Sequence, residues 1–208
     1  MSITSLVSSI QSHFHLSRHT NRPFLIAIDG LGGAGKTTLA KELELELKNV
    51  NNEVFLLHLD DFIVESSKRY GTGYEPWKEY YLHQWDVESL KAELFERLWG
   101  NKEVILPLYN QKTDSVSPQA LKVPSSAILM IEGVFAQREE WRTFYDFSIF
   151  LDCPLEERVA RVLQRDSYLG GYDARVEKYE KRYWPAEEFY VKTQDPLRKA
   201  DVVYRIKG

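Results

Sequence analysis

The stretch FLIAIDGLGGAGKTT, residues 24–38, runs from a short apolar segment through a glycine-rich turn into Lys-Thr-Thr. Gly30, Gly35, Lys36 and Thr37 satisfy the spacing G-x-x-x-x-G-K-[ST] at every fixed position. Glycines let a backbone fold closely enough that its N–H groups point inward at a phosphate. A helix beginning near Lys36 adds the positive end of its dipole. The reading makes Gly30, Gly32, Gly33, Ala34, Gly35, Lys36, Thr37 and Thr38 a nucleotide cradle. Lys36 would reach the β- and γ-phosphates, the Thr37 hydroxyl would bind Mg²⁺, and Thr38 would support the α-phosphate side. ATP and Mg²⁺ are the expected cofactors.

Working outward, short apolar runs alternate with helical patterns. FLIAI at 24–28, EVFLLHL at 53–59, AILMI at 127–131, FSIFL at 147–151 and DVVYRI at 201–206 read as strands, with a short one at 104–106. Residues 38–49, 88–99 and 155–165 have helical spacing, and Gly100 is a stop signal. Alternating strands and helices predict an α/β P-loop NTPase fold, a parallel sheet with helices on both faces and a small lid. Ligands of such sheets sit at the carboxyl ends of the strands. The whole chain, 1–208, reads as a single domain, with an amphipathic helix over 1–20 and a lid over 166–182.

Bulk properties narrow the function. A net charge of −4 lacks the Lys and Arg excess of a general nucleic-acid binder. No apolar run reaches the roughly 18 residues needed to span a bilayer. The single cysteine, Cys153, allows no intramolecular disulfide and fits a reducing cytoplasm. His15 and His19 share a helical face, but no third ligand accompanies them as a metal site would require. Asn101-Lys102-Glu103-Val104 lacks the closing Asp of a guanine-reading motif.

Acidic residues follow the strands. Asp60 and Asp61 end the second, and Glu132 ends AILMI. Glu132 is the candidate for Mg²⁺ or its water. Asp60 is the candidate base for a substrate hydroxyl, with a second contact to the metal. Arg158, Arg161 and Arg165 fall on one helical face, and Arg175 lies beyond the Gly170-Gly171 pair. Such arginines could stabilise a transferring phosphoryl group or, more plainly, pair with Glu156 and Glu157. Spacing alone favours the ion pairs; only the kinase context given by the resemblance below makes Arg165 and Arg175 the catalytic candidates, and Arg161 a weaker one. Tyr70, Tyr74, Trp77, Tyr80, Tyr81 and Trp85 crowd one segment, either as a stacking pocket or as helix packing.

By these residues the chain resembles the uridine kinase and phosphoribulokinase group of P-loop kinases. IAIDGLGGAGKTTLA resembles that group's phosphate loop, and HLDDF at 58–62 its segment bearing the catalytic base, which maps onto Asp60. IEGVFA at 131–136 maps a metal-linked carboxylate onto Glu132, and PLYN at 107–110 points to Tyr109 beside the acceptor. Arg165-Asp166 resembles the opening of the arginine-bearing lid, which also sets Arg165 against the substrate. YWPAEEFY and ADVVY resemble the last helix and strand, so the likeness spans 24–204. It implies γ-phosphoryl transfer from ATP to a hydroxyl of a small molecule, uridine or a related nucleoside. The acceptor segments depart from the group's pattern. Asp114 stands near where uridine kinases carry a histidine, and KEYYLHQWD lacks an aligned Asp before His83. Kinase activity is implied and uridine specificity is not. A nucleoside monophosphate kinase, a pantothenate- or sugar-type kinase and a non-catalytic ATP-binding module remain alternatives, and homo-oligomers stay open.

Overall fold

The computed structural model describes residues 1–17, 20–50, 52–100 and 102–205. His19, Asn101 and Ile206, each named above, lie outside the described residues. In chain order the strands are β1 (Phe24–Gly30), β2 (Val54–His58), β3 (Val104–Asn110), β4 (Ser115–Leu121), β5 (Ile128–Glu132), β6 (Phe147–Asp152) and β7 (Val202–Arg205). Five of them form a sheet of order β2-β5-β1-β6-β7, parallel throughout. This is the α/β P-loop NTPase architecture that the pattern predicted.

β1 and β5 are buried along their full length. That is why they read as unbroken apolar runs, since a strand covered on both faces needs no alternation. The two-residue period still sorts their side chains. Leu25, Leu129 and Ile131 join one core with Leu59, Trp85, Phe135, Trp141 and Tyr190. Ile26, Ile28, Ile128 and Met130 join the other, with Leu6, Ile10, Leu39 and Leu43. Each fully buried Leu or Ile contributes about 1.5–3 kcal/mol.

Helices supply the covering. The helix Ile3–Leu16 starts at Ser2, whose hydroxyl accepts from Ser5 N–H at 3.1 Å, and buries Leu6, Val7, Ile10 and Phe14. The helix Lys36–Asn49 starts two residues earlier than the periodicity suggests and buries Leu39, Ala40, Leu43 and Leu47. None of the described helices is long and apolar enough to cross a membrane. The crowded aromatics divide. Tyr81 and Trp85 are core residues, Trp77 packs on Phe189, Tyr74 sits on His83 near the surface, and Tyr70 and Tyr80 face the cleft described below.

One element differs from expectation. The short strand at 104–106 is the start of a longer β3, which pairs antiparallel with β4. β4 was not legible because it is mostly exposed, polar and carries Pro118, so no apolar face marks it. The region expected as a lid, 166–182, is largely helical. A short turn at Ser167–Leu169 and Gly170, at φ +112°, precede the helix Tyr172–Lys178. That helix continues through a wide π turn, Tyr179–Tyr183, into Trp184–Gln194. Pro185, just beyond it, offers no N–H to the helix ladder, and the wide turn is closed by the Trp184 N–H donating to the Tyr179 carbonyl.

Register fixes where chemistry gathers. Ile28 and His58 both pair with Glu132, and Gly30 pairs with Leu151. The phosphate loop, the residues after β2 and the end of β5 therefore leave the sheet at one edge.

Candidate active site

A cleft of about 1150 Å³ opens at that edge. Gly32, Gly33, Gly35, Lys36, Thr37 and Thr38 form one wall. Gly33 and Gly35 have φ of +77° and +97°, values that side-chain-bearing residues rarely adopt. Space is as limiting as angle at Gly33, where an added Cβ would lie 2.6 Å from the Arg158 carbonyl oxygen. Gly30 and Ala34 shape the turn from behind the wall, and Ala34 is fully buried. Lys36 Nζ donates to the Leu31 carbonyl at 3.1 Å, which curls the side chain back over its own loop.

Glu132 stands beside Thr37. The Thr37 hydroxyl donates to Glu132 Oε1 at 3.0 Å, and His58 Nδ1 bonds the same oxygen at 2.6 Å. Burial pushes the Glu132 carboxyl up, but the His58 bond, the charges of Lys36 and His58 and the Thr37 bond together hold it below its ordinary value. The bond to Glu132 in turn raises the His58 pKa. An ionised carboxylate beside a hydroxyl and an ammonium is a donor set suited to a divalent cation and a polyphosphate.

Asp60 lies across the cleft, in the turn Leu59–Phe62 after β2. Solvent reaches it through the cleft mouth, yet protein surrounds it on most sides. That loss of bulk water raises its carboxyl pKa; Lys36 and Arg165 oppose the rise, and Glu132 and Asp61 add to it. The Trp85 indole fixes this turn by donating to the Leu59 carbonyl at 2.7 Å.

The arginines separate. Arg165 lines the cleft and grips Asp166 through Nε at 2.6 Å, while the Tyr179 hydroxyl donates to the same carboxylate. Arg161 also lines the cleft and pairs with Glu157 at 2.6 Å, as helical spacing allowed. Arg158 does not pair with Glu156 or Glu157. It is buried against Glu187 at 3.0 Å, some thirty positions away. Arg175, expected among the catalytic residues, is absent from the cleft lining. It borders a separate hollow with Leu155, Val159, Leu163 and Tyr172, while its charge reaches Asp166, which does line the cleft. Tyr109 does line the cleft. Its hydroxyl accepts from Arg69 at 3.0 Å and donates to Asp114 at 2.9 Å.

Several contributors carried no local signal. Asp29, fully buried beneath the loop, accepts from Gly30 N–H, Gln137 and the Tyr190 hydroxyl. A carboxylate inside an apolar strand was the one available hint, since such a group must find donors. Glu187 accepts from Gly32 N–H at 2.6 Å across 155 positions of sequence, and nothing near either residue announces the other. Arg69, Gln84 and Lys178 join the cleft wall in the same silent way.

A phosphate loop at a strand end, a carboxylate tied to its threonine and a second carboxylate across the cleft define a P-loop kinase of small molecules. The model of the Phosphoribulokinase / Uridine kinase family matches residues 25–206, and the chain belongs to that family. A uridine kinase of Brevibacillus brevis is 29% identical over 150 residues, covering 69% of this chain and 66% of that one. The solved structure of a possible uridine kinase from Bacillus stearothermophilus is 38% identical, with a TM-score of 0.75 over 94% of this chain and 99% of that one. A Silicibacter sp. TM1040 protein, provisionally named a fructose transport system kinase, shares the fold at 22% identity, with a TM-score of 0.81 and coverage of 98% and 99%.

Proposed function

We propose that this protein is an ATP-dependent kinase acting in the cytoplasm, which transfers the γ-phosphoryl group to a hydroxyl of a small molecule, uridine or a related acceptor. One observation carries the reading: Lys36, Thr37, Glu132 and Asp60 all face a single cleft. The residues suit a nucleotide, because the positive-φ glycines and crowded Gly33 leave backbone N–H groups, and not side chains, to meet phosphate. Thr37 and Glu132 would hold the magnesium ion, which supplies neutralisation of phosphate charge when bound.

The remaining steps belong to the chain's own side chains. Asp60, as carboxylate, orients the acceptor hydroxyl and takes its proton. The acceptor oxygen bonds to the γ-phosphorus as the bond from that phosphorus to the bridging oxygen breaks, and ADP leaves with the electron pair. Lys36 and Arg165 offset the charge spread over the moving group. General-base catalysis of this kind contributes typically about 10²–10⁴-fold. The test is Asp60→Asn assayed for acceptor-dependent ADP formation and, separately, for ATP binding. Transfer falls by roughly that factor while ATP affinity holds. Full turnover in the variant would remove Asp60 from the role.

A further inference from the structure

β2 and β5 carry one pattern to the mouth of the cleft. On one face of each strand, two apolar residues are followed by a polar one: Val54 and Leu56 precede His58, and Ile128 and Met130 precede Glu132. The apolar members of both rows pack in one core with Leu39 and Leu43. Parallel register sets His58 directly beside Glu132. The helix Lys36–Asn49 covers the same face, and its first turn brings Thr37 to the same carboxylate.

Glu132 is held at one oxygen. The Thr37 hydroxyl donates to Oε1 at 3.0 Å, and His58 Nδ1 lies 2.6 Å from the same atom. An ionised carboxylate only accepts, so Nδ1 carries a hydrogen whether or not the ring is charged. Among the described residues no donor bonds Oε2. Glu132 lines the cleft, so Oε2 is the oxygen left to face a cation. Thr37, by giving its hydrogen to Oε1, keeps its lone pairs for that same ion.

Packing does not call for a histidine here. β2 is the outermost strand of its sheet, the His58 side chain is 31% exposed, and among the described residues its ring makes no other hydrogen bond. A β-branched residue would suit such an edge position on propensity alone. A carboxylate held by one donor can still turn about its side-chain bonds. Two donors from different elements fix its plane, and partners of this kind orient the groups that bind a metal.

We propose that His58 is a positioning residue for the magnesium–nucleotide complex: with Thr37 it occupies Glu132 Oε1 and so fixes the carboxylate with Oε2 toward the cation. His58 touches neither nucleotide nor acceptor in this role and acts through Glu132. The proposal rests on Thr37 and Glu132 being the residues that hold the cation.

Calorimetric titration with a non-hydrolysable ATP analogue, in magnesium chloride and again in EDTA, tests it. The ratio of the two affinities measures how far the cation tightens the nucleotide. His58→Leu lowers that ratio by about tenfold or more. Its affinity in EDTA, which reports a folded phosphate loop, holds. His58→Asn, whose amide N–H can stand where Nδ1 stands, keeps most of the ratio. Glu132→Gln lowers it too, and adding His58→Leu to that variant costs little more, because both act through one group. An unchanged ratio in His58→Leu overturns the proposal. Equal losses with and without magnesium, losses that add in the double variant, or a His58→Asn ratio as low as that of Glu132→Gln overturn it as well. A parent protein whose affinity magnesium does not change has no cation site at Glu132, and the assignment of Thr37 and Glu132 then falls together with the role of His58.

Discussion

Glu187, on the last long helix, accepts a hydrogen bond from the Gly32 N–H at 2.6 Å while its other oxygen holds Arg158 at 3.0 Å. Arg158 also donates to the Gly32 carbonyl at 3.3 Å, so one glycine of the phosphate loop is held by both members of a buried ion pair. The loop's shape therefore depends on two helices that follow it by more than a hundred residues.

Removing one partner shows how strongly. Glu187→Ala leaves the Arg158 guanidinium buried without its counter-charge and the Gly32 N–H without its acceptor. Breaking a buried pair this way costs about 3–5 kcal/mol. Urea denaturation should register a loss of that order, and nucleotide titration a weaker affinity. Glu187→Gln keeps an acceptor for Gly32 and loses less. A stability for the alanine variant within error of the parent would mean the pair is idle.

Gly33→Ala acts on the loop itself. A left-handed backbone costs a residue with a Cβ about 1–2 kcal/mol. Here the added carbon also meets Arg158 O at 2.6 Å and Val162 Cγ1 at 2.8 Å. The loop must open to admit it. ATP binding, followed by calorimetry, should be lost while the far-UV circular dichroism of the sheet and helices persists. Parental ATP affinity would argue against a phosphate role for this turn.

The pH profile follows from Asp60. Enclosure by the cleft walls raises its carboxyl pKa above the usual value near 3.9. Only the carboxylate can take a proton, so kcat/KM is maintained above the raised pKa and falls as pH drops through it. The acid limb should therefore lie above the range of a solvated aspartate. A limb at or below that range would place the base elsewhere. Glu132 behaves oppositely: its lowered pKa contributes stability above the unfolded value, and that contribution is lost only as pH falls through the folded one.

Much of the fold was written locally. The run from Phe24 to Thr38 specified a buried strand, a phosphate turn and a helix start, because burial on both faces, left-handed glycines and helix periodicity each act over a few residues. The placement of Asp60 and Glu132 at the cleft was legible for the same reason: each lies at or just after the end of an apolar strand, and parallel strands deliver their carboxyl ends to one side of the sheet. The tertiary structure alone decided the rest. It paired Arg158 with Glu187 and not with its helical neighbours, set Arg175 beside a hollow of its own, and gathered Arg69, Gln84 and Lys178 around one opening. Those contacts join segments up to about a hundred positions apart or more, and which face a helix presents there is set by packing against distant elements. Periodicity carries no record of the partner across the gap.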